Sequence, residues 1–242
     1  MSLPNNSPID SKPHPEKKPL LCYVSARLSL QVAPGKDLLE LLLDKVELLA
    51  SAGVDWIQLR EKDLSGKQMA SLTREALRRV SRQASHTRPP TRILVNDRLD
   101  AAIAEQAGGV HLGENSLPAG QAKHLLLASP AAQSSSQGFL VGVSCHSLEA
   151  AKSAAFAGAD YIFFGPIFAT PSKAVFGAPQ GLERLAEVCT SVTIPVLAIG
   201  GITLENAPAC LSAGASGIAA IRLFQDSADP ATIIRALRHR SL

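Results

Sequence analysis

Beyond residue 18 the chain alternates two hydrophobic rhythms. Short β-branched or aromatic runs near Leu21–Ser25, Val54–Leu59, Ile93–Asn96, Gly109–Leu112, Phe139–Val143, Tyr161–Phe164, Pro195–Ile199 and Gly217–Ile221 predict strands. Between them, apolar residues recur at helical spacing, as in Leu38, Leu42, Val46 and Leu49 and again in Met69, Leu72, Ala76 and Val80. That spacing predicts an amphipathic helix after each strand. Repeated β-α units imply a closed parallel barrel, a single (β/α)8 TIM barrel over residues 19–242. An open doubly wound sheet is the alternative, but it carries one Gly-rich turn after its first strand, whereas here polar residues follow nearly every strand.

The polar residues at the strand ends are the candidate chemistry. Tyr161–Phe164 runs into Gly165-Pro166 and then Thr170-Pro171-Ser172-Lys173. Two hydroxyls and a lysine so close together suit an oxyanion, although a solvated loop would look similar. Gln58, Arg60 and Lys62 follow the second strand, and period-two alternation turns both cations one way and Glu61 the other. A surface salt-bridge set is the bland alternative. Asn96-Asp97 ends the third strand just before the helical run Leu99–Ala107, so Asp97 reads either as a metal ligand or as a helix cap. Gly113-Glu114-Asn115-Ser116 follows the fourth strand and Ser144-Cys145-His146 the fifth. His111 reads as a structural histidine. Gly200-Gly201 after the seventh strand would let the backbone approach an anion, with Ile221-Arg222 after the eighth closing the other side.

Composition narrows the partners. The net charge of +3 is small and part of it sits on Lys12, Lys17 and Lys18, so no basic field of the kind nucleic-acid binders show is present. No apolar run reaches the roughly 20 residues needed to span a bilayer, and the N-terminus lacks the apolar core of a secretory signal. A cytoplasmic protein acting on small molecules, without membrane or nucleic-acid partners, is expected. Residues 1–18, rich in Pro, Ser, Asn and Lys, read as a disordered tail. Cys22, Cys145, Cys189 and Cys210 are widely spaced and read as structural thiols. Whether copies of the chain assemble as a homo-oligomer is left open by the pattern.

The strand-end segments, in this order and with Gly109-Val110-His111-Leu112-Gly113, resemble thiamine phosphate synthase and its relative, the TenI-type thiazole tautomerase. The resemblance runs from about Tyr23 to about Phe224. It implies that Gln58, Arg60, Lys62, Asn96, Ser144 and Lys173 bind a hydroxymethylpyrimidine diphosphate, with Mg²⁺ on Asp97. Gly200, Gly201, Ile221 and Arg222 would bind the thiazole phosphate. Two departures stand out. Synthases usually carry an aspartate, a second Mg²⁺ ligand, where this chain has Ser116, which leaves Glu114 as the candidate replacement. The usual serine near the end of the eighth strand is Arg222, which would either strengthen phosphate binding or fill the pocket. Tautomerase-type chains also carry a serine at the Ser116 position, and in them a histidine at the position of His146 is associated with proton transfer, although synthases also carry it. The resemblance therefore favours a synthase, with a tautomerase or a non-catalytic binder of a phosphorylated ligand as rivals.

Overall fold

The computed structural model describes residues 18–31, 35, 37–83, 89–129, 138–170 and 178–239. The strands are β1 (Leu20–Val24), β2 (Trp56–Leu59), β3 (Arg92–Asn96), β4 (Gly109–Leu112), β5 (Leu140–Cys145), β6 (Tyr161–Phe164), β7 (Val196–Ile199) and β8 (Gly217–Ala220). They are parallel and follow one another in sequence order around a closed barrel. Closure is made by β1 lying beside β8, with Leu21 opposite Ile218. The helices α1 (Leu38–Ala52), α2 (Gly66–Arg82), α3 (Leu99–Ala104), α4 (Ala119–Leu127), α5 (Leu148–Phe156), α6 (Gly181–Ser191) and α7 (Ala207–Ser212) return the chain from strand to strand, and α8 (Arg222–Gln225) and α9 (Pro230–His239) follow the last strand.

A strand covered on both faces buries alternate residues in two different cores. One set points into the lumen, where Cys22, Val24, Leu94, Tyr161, Phe163, Leu197 and Ala219 pack together, with Trp56, Leu140 and Ile199 against them. The other set points out and meets the helices. Ile57, Ile93, Val95 and Ile162 belong to a core that includes Leu42, Val46 and Leu49 of α1 and Met69, Leu72, Ala76 and Val80 of α2. Of the residues whose spacing predicts those helices, all but Leu38 hold them to the barrel; at the first turn of α1 it is Leu39 that packs on this core. Local signals set the helix limits. Asp37 caps α1 through the Leu39 N–H, Gly53 ends it at φ 101°, and Ser65 with Gln68 forms a reciprocal capping box on α2.

The predicted strands lie within a residue or two of the observed ones. The larger difference is at α3, which stops at Ala104 rather than continuing to Ala107, because Gln106 adopts φ 54° and turns the chain out of the helix. Pro89 and Pro90 are exposed just before β3, as expected of a loop there. Most of the Ser/Gln-rich run before β5 and the tail up to residue 17 lie outside the described residues. The cysteines are unpaired, and three of the four are buried. No helix among the described residues is long and apolar enough to cross a membrane.

One glycine decides how the lumen packs. Gly142 of β5 sits where a Cβ would lie 2.0 Å from Cζ of Tyr161, whose ring rests on Trp56 at 4.7 Å between centroids. Gly142→Ala is expected to cost about 1–3 kcal/mol through overpacking, since the methyl would meet a buried ring that Trp56 already packs against. Urea denaturation checks this, and an unchanged midpoint would mean the lumen is looser than these distances indicate.

Candidate active site

Parity brings the candidate residues together. With Trp56 and Leu94 in the lumen, period-two alternation turns Gln58 and Asn96 inward above them, and on β4 and β5 it does the same for His111 and Ser144. Gln58 Nε2 donates to Asn96 Oδ1 at 2.8 Å, and Asn96 Nδ2 donates in turn to Asp97 Oδ2 at 2.8 Å. His111 lies between two hydroxyls, Nδ1 3.1 Å from the Tyr161 oxygen and Nε2 2.9 Å from Ser144 Oγ. Its ring packs on Phe163 at 4.1 Å, and burial pushes its imidazole down to about 3, so the ring is neutral near pH 7.

Asp97 is not the cap of α3. The cap position is Arg98, without a side-chain capping bond, and Asp97 instead takes φ 58°, which swings its carboxylate toward the turn after β4. Oδ1 there accepts from the Gly113 N–H at 3.0 Å and from Ser116 Oγ at 2.5 Å. Burial opposes ionisation of Asp97, but the bonds from Ser116, Gly113 and Asn96 outweigh it and hold the carboxyl below its usual range. Ser116 thus supplies a hydroxyl donor to Asp97 where a second carboxylate would repel it. Glu114 is exposed on the same turn.

The loop after β2 is anchored by residues that sequence reasoning missed. Glu61 is only 4% exposed. It accepts from Ser25 Oγ at 2.5 Å and from Arg27 Nη1 at 2.9 Å, and Arg27 also pairs with Asp63. Ser25 in turn accepts the Arg60 N–H at 2.8 Å. The carboxylate pointing away from the cations is therefore their inner support, and it pairs with Arg27 rather than with Arg60 or Lys62. Arg60 is half-buried and Lys62 exposed. Ser25 follows the strand-end pattern seen elsewhere, whereas Arg27 carries no signal because its partner lies 34 positions away.

The far side of the mouth is built from close backbone contacts. Gly200 and Gly201 have φ 95° and 67°, and a Cβ on Gly201 would meet the Ala169 oxygen at 2.8 Å, so glycine is required by conformation and by packing alike. Ile221 ends β8, and Arg222 opens α8 with an exposed side chain that is not packed into the lumen. Thr170 is half-buried, whereas Pro171, Ser172 and Lys173 lie outside the described residues. His146 Nδ1 is hydrogen-bonded to the Gly165 carbonyl. A carbonyl only accepts, so Nδ1 carries a proton and donates it there.

The model of the thiamine monophosphate synthase family matches residues 30–224. This chain belongs to that family. A thiamine-phosphate synthase of Methanoculleus marisnigri is 41% identical over 197 residues, 81% of this chain and 86% of the relative. One from Moorella thermoacetica is 38% identical over 211 residues, 87% and 91% of the two chains. Among solved structures, thiamine phosphate pyrophosphorylase from Pyrococcus furiosus superposes with a TM-score of 0.71 at 29% identity, covering 93% of this chain and 95% of that one. In this family member, then, Gln58, Asn96, Asp97 and Ser144 are held at one barrel mouth, with Arg60 beside them.

The buried support of the β2 loop is open to a direct test. Glu61→Ala leaves Arg27 with Asp63 alone and removes the acceptor of the Ser25 hydroxyl. A loss of about 3 kcal/mol in urea unfolding is expected, because one member of a buried pair is stripped of its partner. A loss no larger than that of an exposed substitution would show that Asp63 suffices.

Proposed function

We propose that this family member is a thiamine phosphate synthase. It joins 4-amino-5-hydroxymethyl-2-methylpyrimidine diphosphate to a thiazole phosphate and releases diphosphate. The observation that carries the reading is the convergence of Gln58, Asn96, Asp97 and Ser144 on one mouth, in a chain about 40% identical to thiamine-phosphate synthases over most of its length.

The donor set fits Mg²⁺ in one particular way. Among the described residues no group of three His, Cys, Asp or Glu side chains could hold a metal. Mg²⁺, however, is commonly held by one or two carboxylates together with waters and substrate phosphate oxygens. Asp97 suits that role, being exposed and ionised, with Oδ2 accepting, among the described residues, only from Asn96. Glu114 is the second carboxylate of the proposed set, in place of the residue at Ser116. Bound there, the ion would neutralise charge on the diphosphate oxygens.

The remaining chemistry belongs to the chain. Arg60, Lys62 and Lys173 bind the diphosphate and stabilise the charge it gains as the bond from its oxygen to the pyrimidine methylene breaks. Ser144 donates a hydrogen bond to the same group, while Gln58 and Asn96 orient the pyrimidine. Gly200, Gly201, Ile221 and Arg222 hold the thiazole phosphate, and Thr170, Pro171 and Ser172 contribute to substrate binding. Its ring nitrogen attacks the methylene, forming the new C–N bond, and no protein nucleophile is needed. A thiazole tautomerase is the second reading, favoured by Ser116 on Asp97.

Incubating the purified chain with both substrates, with and without Mg²⁺, and assaying thiamine phosphate separates the readings. Metal-dependent product supports the synthase, whereas metal-independent proton exchange on the thiazole alone supports the tautomerase. Asp97→Ala is expected to lower kcat roughly 100-fold with little change in melting temperature, since it removes charge stabilisation and no helix cap. Arg60→Ala should raise KM for the pyrimidine diphosphate and leave that for the thiazole phosphate near its original value. Equal losses on both substrates would mean the two half-sites are drawn wrongly. Glu114→Gln should raise the Mg²⁺ concentration needed for half-maximal rate, and an unchanged requirement would remove Glu114 from the ligand set.

A further inference from the structure

Tyr161, His111 and Ser144 form a line from the packed lumen to the mouth, and the hydrogen bonds along it have a direction. We propose that Tyr161 and His111 are positioning residues that fix the Ser144 hydroxyl as a hydrogen-bond donor toward the diphosphate, an inference that rests on the synthase reading for the identity of the anion.

The direction is set at the buried end. Tyr161 is 1% exposed, and among the described residues its hydroxyl has one hydrogen-bond partner, His111 Nδ1 at 3.1 Å. A buried phenol without an acceptor for its proton costs about 1–3 kcal/mol, so the O–H is directed at Nδ1. Nδ1 is then the unprotonated nitrogen of a neutral imidazole, and the proton resides on Nε2. Nε2–H donates to Ser144 Oγ at 2.9 Å. With that oxygen already accepting, the Ser144 proton turns to an acceptor elsewhere, at a half-buried position on the mouth.

The opposite tautomer would reverse the outcome. Nε2 would then accept the serine proton, and Ser144 would offer an anion only lone pairs. A phenol at the bottom of the lumen therefore decides whether the hydroxyl at the top attracts or repels a diphosphate. The rings cannot easily turn to escape this choice. Phe163 packs on His111 at 4.1 Å, Trp56 packs on Tyr161 at 4.7 Å, and Gly142 provides the slot into which the phenol fits.

Two measurements on the full chain test the proposal. Side-chain ¹⁵N NMR, with the His111 signals identified by their loss in His111→Gln, should show a bare Nδ1 and a protonated Nε2. A protonated Nδ1 would overturn the relay. Tyr161→Phe keeps the ring and removes the hydroxyl. It should raise the Kd for inorganic diphosphate, measured with Mg²⁺ present, about 10-fold, and lower kcat by a similar factor. KM for the thiazole phosphate should not move. In a Ser144→Ala background the same substitution should cost nothing further, because its effect passes through Ser144. An equal loss in both backgrounds refutes the proposal. If the parent chain binds diphosphate with this pattern yet makes no thiamine phosphate, the synthase reading fails while the relay stands.

Discussion

Closure of a parallel sheet imposes one constraint on every strand, namely that alternate side chains enter a lumen with no room for disorder. Everything at the mouth inherits that geometry. Because the lower lumen is filled by Trp56, Leu94, Tyr161 and Phe163, the inward positions one step higher on the same or neighbouring strands can be polar and still be held. Gln58, Asn96, His111 and Ser144 occupy those positions. Their placement depends on strand pairing made far from the chemistry.

A second consequence concerns polarity. A packed lumen tolerates buried polar groups only if each is satisfied, and here no buried side-chain nitrogen or oxygen among the described residues lacks a partner. The partners form chains leading outward. Gln58 bonds Asn96, Asn96 bonds Asp97, and Asp97 takes Ser116 and Gly113. Glu61 takes Ser25 and Arg27, and Ser25 holds the backbone of Arg60. Satisfying the buried groups thus also preorganises the exposed ones, and an active site that must hold a highly charged leaving group benefits from donors that need not reorganise.

The departures from the family pattern read differently in this light. Serine at position 116 does not leave Asp97 unsupported. It exchanges a like charge for a donor, which keeps Asp97 ionised and aimed at the mouth. Arg222 adds a cation at the opening of α8 and leaves the lumen free.

Much of the molecule is legible in the chain alone, and the reason is periodicity. The eight strands, the helices after β1 and β2 and the closed barrel follow from local hydrophobic rhythm, because burial on two faces leaves a two-residue or helical signature within a few turns. The strand-end rule likewise finds Gln58, Asn96, Asp97 and Ser144. What the sequence could not decide was which polar group meets which. That Asp97 does not cap α3 turned on one positive φ and on a turn 16 residues away. The pairing of Glu61 with Arg27 and the line from Tyr161 through His111 to Ser144 join residues 33 to 50 positions apart. Such contacts leave no local periodicity behind, since they come into being only when the sheet closes and brings its strands side by side.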